Sequence, residues 1–464
     1  MKKFLVLLVV LAITGFASMA FAVDVTVGGS IQVRSRDFND LNMGKEENAA
    51  YAGNTRDTQE RVQIDVNAKA DNVKGKISIW NDFDDWSRFE QVQANNGNGN
   101  STASTGPHFG IREAWLSFNL PGVPVNVTGG HQLLQLGNGW FFRSKHFGSD
   151  AWVVAVPTGN NTLAFVDVKI SEGRGTGVNT APLTVNSNNV AFADDTDAYV
   201  LLDVYKLGDM GTVGFDLTQA RDRRNTLGLG SVNGNTIGYN LSLSYNGNIG
   251  PLALKVEADA QAGTVRNNGT GIDHDLKGKQ VVVEGKFKAS DALALNFTLG
   301  RGTGNKTGDT DINGYLNFLD IDPHYTFLYE YKMPTAAGAK NTGFSNTTAA
   351  GIGAMFSASK SLDLGATYWY LTATQSTNVS PALGTAASGG VATNNPIIPG
   401  GTSKALGQEI DVMVNWKIYD NLSWNWVIGY FSPGNAYKGF DTVTGNTVGK
   451  NAATGIQGIL AFSF

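Results

Sequence analysis

The sequence predicts an all-β fold: a transmembrane antiparallel up-and-down β-barrel of about eighteen strands, with short periplasmic turns and long extracellular loops. Three observations carry this. Apolar and polar residues alternate with period 2 in segment after segment. The connections between those segments alternate between short and long. No stretch of the mature chain offers the roughly 20 uninterrupted apolar residues that a spanning helix needs, so any crossing must use a closed barrel.

The N-terminus reads as an export signal. Lys2 and Lys3 precede an apolar run from Phe4 to Ile13, and Ala20-Phe21-Ala22 forms a small-x-small cleavage site. Residues 1–22 are expected to be a signal peptide, and residues 23–464 a single barrel domain.

Alternation defines the wall. Val25, Val27, Ile31 and Val33 share one face, and Thr26, Ser30, Gln32 and Arg34 the other. Val62, Ile64 and Val66 oppose Arg61, Gln63 and Asp65; Leu252, Leu254 and Val256 oppose Lys255, Glu257 and Asp259; Ile410, Val412 and Val414 oppose Glu409, Asp411 and Asn415. Strands are expected at 23–38, 56–70, 73–88, 108–119, 124–135 and 151–157. They continue at 161–171, 194–206, 211–221, 233–246, 250–264 and 278–289, and finish at 292–301, 348–360, 362–375, 404–419, 422–433 and 453–464. Tight turns at Asp71-Asn72, Ser290-Asp291, Lys360-Ser361 and Asp420-Asn421 alternate with Gly/Asn/Thr-rich stretches, and this pattern puts both termini in the periplasm. Aromatics such as Tyr239, Tyr368, Tyr370, Trp416, Trp424, Trp426 and Tyr430 suit two interfacial girdles. The last strand places Ile456, Leu460, Phe462 and Phe464 outward, and terminal Phe464 is the expected signal to the outer-membrane barrel assembly machinery.

Composition excludes several classes. The net charge of −5 becomes −7 once Lys2 and Lys3 are removed, which argues against nucleic-acid binding. Zero cysteines exclude disulfide scaffolds, thiolate metal sites and c-type haem attachment. The five histidines form no metal-binding spacing, and Asp273-His274-Asp275 reads as a solvated turn. No nucleophile–base pair is identifiable, so neither an enzyme nor a cofactor is expected.

Residues Arg112-Glu113-Ala114-Trp115-Leu116, the Pro121-Gly122 turn and Val125-Asn126-Val127-Thr128-Gly129-Gly130-His131-Gln132 resemble the bacterial outer-membrane porins, including the alginate-export type of 18-stranded barrel. The resemblance implies a large outer-membrane channel of a Gram-negative-type bacterium. Its motif covers about residues 108–139.

A barrel this wide leaves an aqueous lumen. Arg34, Arg36, Arg61, Lys74, Lys76, Lys255 and Lys286 are the basic pore-lining candidates, and Asp82, Glu113, Glu257, Glu284, Glu409 and Asp411 the acidic ones. Facing rows of opposite charge would set up a transverse field. Two loops are expected to narrow the channel: Leu136–Asp150, with Arg143, Lys145 and His146, and Gly302–Thr347, with His324 and Tyr325. The second is too apolar to lie in water and is expected to pack into the barrel mouth or to form an extra hairpin. Diffusion or selective passage of small polar or charged solutes is the leading reading, by a monomer or homotrimer in outer-membrane lipid. The alternatives are a polysaccharide export channel and a sheath around a periplasmic partner such as a multihaem cytochrome.

Overall fold

The computed structural model describes residues 23–41, 54–81, 84–85, 109–171, 196–222, 236–265, 273–306, 308–317, 325–333, 336, 343–377, 379, 397–399, 402–441, 447–449 and 451–464. The expected signal peptide, Asp82 and His324 lie outside the described residues.

Eighteen strands form the wall. The first six are β1 (Asp24–Asn39), β2 (Thr55–Ala70), β3 (Val73–Trp80), β4 (Gly110–Asn119), β5 (Asn126–Gln132) and β6 (Ser149–Thr158). The middle six are β7 (Asn161–Ser171), β8 (Thr196–Lys206), β9 (Thr212–Asp222), β10 (Thr236–Ile249), β11 (Leu252–Val265) and β12 (Lys279–Lys288). The last six are β13 (Leu293–Gly302), β14 (Thr347–Ser357), β15 (Leu362–Thr377), β16 (Ser403–Tyr419), β17 (Leu422–Pro433) and β18 (Ala453–Ser463). Each pairs antiparallel with its sequence neighbour, and β1 pairs with β18 from Ser30 opposite Ser463 to Asn39 opposite Thr454. That last pairing closes the barrel and leaves no edge strand.

Of the third strand expected at 73–88, β3 accounts for 73–80, and residues 82–83 and 86–88 lie outside the described residues. Beyond Trp80 the Asn81 N–H still donates to the Val62 carbonyl while its side-chain oxygen accepts the Val62 N–H, and Asp84-Asp85 pairs again with β2. In the long connection after β13, the described residues form one short helix, α1 (Tyr329–Lys332), rather than an extra hairpin.

The two faces follow the period. Phe215, Leu217, Leu241, Leu243, Ile410 and Val412 are exposed on the outside, where lipid would cover them, whereas Asp216, Thr218, Asn240, Ser242, Glu409 and Asp411 are buried inside. Trp416, Trp424 and Phe462 mark the periplasmic end of the outer face, and Tyr368, Tyr370 and Tyr430 the extracellular end. Phe464 extends the closure: Gly29 and Phe464 exchange backbone hydrogen bonds at 3.0 and 3.1 Å, and the Phe464 ring stacks near Phe462 at 5.9 Å.

The apolar cores lie inside the barrel, between the wall and the loops folded into it. One gathers Phe38, Trp140, Phe327, Leu328, Tyr329, Phe344, Leu371 and Phe431. The other gathers Leu136, Phe141, Phe142, Val166, Val168, Val200 and Tyr315. Each such aromatic or aliphatic side chain removed from water contributes about 1.5–3 kcal/mol, which holds the loops inward.

Candidate functional site: the lumen and its two inward loops

Loop 133–148 leaves the extracellular end of β5 and crosses to the opposite wall. Glu257 on β11 accepts the backbone N–H groups of Asn138, Trp140 and Phe141 at 2.5, 3.0 and 2.9 Å. Asn138 donates its side-chain amide to the Tyr245 and Val256 carbonyls, and the Trp140 indole N–H donates to Glu284 at 3.1 Å. The base of the loop is fixed separately. Arg112 donates to the Lys145 and His146 carbonyls, and His131 hydrogen-bonds Asp150 and the Phe147 carbonyl. Residues of the 112–132 motif therefore hold the base of this loop.

The second inward loop repeats the device. Glu409 on β16 accepts the Leu328 and Tyr329 N–H groups at 2.6 and 2.8 Å, and Asp411 accepts that of Phe327 at 3.4 Å. The carboxylates thus face the N-terminal turn of α1, where the unpaired N–H groups of a helix favour an anion. Wall glycines make the sockets: a Cβ at Gly300 would strike the Phe344 ring, at Gly429 Phe327 and Leu328, and at Gly455 Phe38 and Leu328. The two loops meet in the lumen, with Trp140 5.0 Å from Phe344 and 6.3 Å from Tyr325.

These contacts correct part of the pore-lining expectation. Glu257, Glu409 and Asp411 point inward, but they are 1%, 0% and 5% exposed because loop backbone covers them. They are anchors rather than an acidic row facing open water. Glu113 is buried as well, held by Lys76 at 2.6 Å and by the Trp115 indole at 2.9 Å.

The basic candidates gather on the opposite wall. Arg36 pairs with Asp57 at 2.5 Å, Arg34 donates to Gln59, and Lys76 lies 3.6 Å from Asp65 as well as bridging Glu113. Arg61 and Arg112 both stack over the buried Trp80 ring, their guanidinium carbons 4.7 and 5.1 Å from its centroid. Alternation alone would send Arg112 outward. A bulge opposite Ser78-Ile79 brings it in beside Glu113, a re-aiming that bulges commonly produce. From α1, Lys332 joins this wall: burial first, then Arg36 and Arg34 beside it, hold its ammonium below the usual lysine value. Arg34, Arg36, Arg61, Lys76, Arg112 and Lys332 thus face three acids, Asp57, Asp65 and Glu113, among the described residues.

Lys74 is exposed at the periplasmic end of the same wall, opposite Ser117. Lys255, Glu284 and Lys286 line a cavity of about 400 Å³ with Asn296 and Thr298, on the periplasmic side of loop 133–148. Of the loop candidates, Lys145 is exposed, Arg143 bridges to Gln135, and His146 packs edge-on against Trp80 at 5.1 Å. Tyr325 stacks on Phe344 at 4.4 Å and lines a cavity of about 310 Å³ with Phe327, Tyr331, Trp369 and Gln457.

Solved structures share this architecture. OccK2 (OpdF) of Pseudomonas aeruginosa, in complex with glucuronate, is 8% identical, with 95% of this chain and 98% of that chain covered at a TM-score of 0.53. OccK9 (OpdG) of Pseudomonas aeruginosa is 13% identical, with the same coverage and a TM-score of 0.52. A BenF-like porin from Pseudomonas fluorescens Pf-5 is 10% identical, again with 95% and 98% covered, at 0.52. At such identities the likeness is one of fold. No curated protein matches the chain. The family model for alginate export matches residues 23–451, nearly the whole chain, and the chain belongs to that family as an 18-stranded outer-membrane barrel.

Proposed function

We propose that this outer-membrane channel passes small solutes carrying a carboxylate, with hexuronates as the type. The observation that carries the reading is the asymmetry of the constriction. The two inward loops cover and hydrogen-bond the acids of β11 and β16, while the wall of β1–β4 together with Lys332 of α1 sets six bases against Asp57, Asp65 and Glu113 among the described residues. A solute squeezed between loops and base-rich wall meets a net positive surface in a confined, low-dielectric passage, where charge is felt more strongly than in bulk water. The family is named for export of a polyuronate, and the fold relative OccK2 was solved with glucuronate. The two loops touching at Trp140 and Phe344 favour a monomer or short oligomer over a polymer thread. A sheath around a periplasmic cytochrome would need a lumen clear of the chain's own loops, which this one is not.

The test is reversal potential in planar bilayers under a salt gradient, with liposome swelling in glucuronate, glucose and glucosamine. Anion preference and faster entry of glucuronate than of glucosamine are expected. R36Q and R112Q together shift the reversal potential toward cations, and the shift shrinks at molar salt, where the screening length falls to about 3 Å. A cation-selective wild type, or unchanged selectivity in the double variant, refutes the proposal.

A further inference from the structure

Beneath α1 the second inward loop and the wall enclose a cavity of about 310 Å³. Four aromatic residues line it, Tyr325, Phe327 and Tyr331 from the loop and Trp369 from β15. Trp369 lies against the wall at Gly351, where a Cβ would strike three carbons of its indole. Tyr325, its ring stacked on Phe344, meets the indole at an interplanar angle of 58° with centroids 5.5 Å apart. The rings thus form an apolar corner in the lumen. The wall adds polar groups. The register sets Thr367 opposite Asp411, Met413 opposite Val427, and Val427 opposite Gln457, so the cavity follows the inner faces of β15–β18 on the periplasmic side of the Glu409 anchor.

The cavity also abuts the basic wall. Gln457 stands directly opposite Arg36 where β18 pairs with β1, a position that sets Cβ atoms about 4.5–5.5 Å apart. On the loop side, the Lys332 ammonium lies 3.9 Å from the centroid of the Tyr331 ring. An aromatic corner, hydrogen-bonding side chains and two cations therefore share one small space. A pyranose ring suits that combination. Its C–H faces carry partially positive hydrogens, which the negative face of an aromatic ring attracts, and its hydroxyls both donate and accept hydrogen bonds. The volume is at the small end of ligand pockets, which run about 300–1,000 Å³, and suits one ring rather than a polymer.

We propose that this cavity seats the pyranose ring of a sugar acid, with the ring against Tyr325 and Tyr331, the hydroxyls toward Thr367, Asp411 and Gln457, and the carboxylate toward Arg36 and Lys332. The carboxylate's place rests on the anion reading above; the ring's place rests on the aromatic corner alone. An open-chain acid of the same charge meets the same bases but leaves the aromatic faces uncovered. The cavity therefore separates ring from chain, a distinction that the charge of the wall cannot make.

The test is solute-induced current noise of the full-length barrel in planar bilayers, which reports how long a solute stays in the channel. Two pairs hold charge fixed and exchange ring for open chain: glucuronate against gluconate, and glucose against sorbitol. Glucuronate and glucose are each expected to bind several-fold tighter than their open-chain partners, with glucuronate the tightest of the four. Y331L removes an aromatic face while staying apolar and abolishes the ring preference, whereas Y331F keeps it. Q457L changes the wall without touching α1 and weakens glucuronate and glucose several-fold, which tests the site even if Y331L unseats the loop. Equal binding within either pair, a ring preference that survives Y331L, or unchanged affinity in Q457L overturns the proposal. Failure of the anion reading has a different signature: glucuronate then binds no tighter than glucose, while the neutral pair keeps its ring preference.

Discussion

Glu257 is the place to test whether the inward loop is held by its anchor or merely rests there. Its carboxylate accepts three backbone N–H groups of loop 133–148, with Trp140 and Phe141 on one oxygen and Asn138 on the other. Glu257→Gln keeps the shape and can turn its single carbonyl oxygen toward the pair. Its amide then sets a donor against the Asn138 N–H, so one charge-assisted bond is lost, at about 1.5–3 kcal/mol. Glu257→Ala strips the acceptor from all three, and each stranded N–H costs about 1–3 kcal/mol, roughly 3–9 kcal/mol together. Against this stand Phe141 and Phe142, each buried and contributing about 1.5–3 kcal/mol, and the Asn138 side-chain bonds to β10 and β11. The two sides are comparable. Gln should therefore loosen the loop, and Ala should bring it near release. In single-channel recordings Glu257→Gln is expected to add current noise at nearly normal conductance. Glu257→Ala should show a larger and fluctuating open level, together with protease cleavage within 133–148 on intact cells. A folded Glu257→Ala barrel, heat-modifiable on gels, with wild-type conductance and noise would refute the reasoning, because the loop would then be held by its apolar contacts alone.

Two further outcomes test the wall. Val412 is exposed on the outer face of β16 while Asn415 faces the lumen, so Val412→Arg should destabilise the barrel by about 2–4 kcal/mol if it sits at the midplane, with Asn415→Arg tolerated; denaturant unfolding in lipid vesicles measures both, and equal damage would mean the register is wrong. Deleting Phe464 removes the backbone pair with Gly29 and the ring beside Phe462, so outer-membrane yield and the heat-modifiable shift should fall; normal yield would remove the terminal residue from assembly.

Period-2 alternation made the wall legible because lipid imposes it: an outward polar residue has no partner in hydrocarbon, so every strand must keep its register. The number of strands, their order and the alternation of turns and loops all follow. At the end of β3, Asn81 adds a side-chain bond to the ladder, its amide oxygen accepting the Val62 N–H.

The lumen was legible by face but not by environment. Alternation says that Glu257, Glu409 and Asp411 point inward, and it says nothing about what covers them. An acid lining water and an acid gripping backbone amides have the same sequence pattern. The signal that separates them lies elsewhere in the chain. One part is the apolar content of the two loops, with Trp140-Phe141-Phe142 in one and Phe327-Leu328-Tyr329 in the other. The other part is glycine at inward wall positions Gly300, Gly429 and Gly455, where a side chain would block a docking ring. A loop rich in aromatics needs sockets, and inward glycines opposite it supply them. Arg112 escaped for a different reason. Its strand carries one extra residue opposite Ser78-Ile79, and a bulge shifts a side chain across the sheet without changing composition. That single residue adds a second guanidinium to the Trp80 stack and ties the base of the loop to the basic wall. The loops determine the acids' role by hiding them, and a local bulge strengthens the bases they leave behind. In the proposed anion channel, charge preference would be set by what the loops cover as much as by what the strands display.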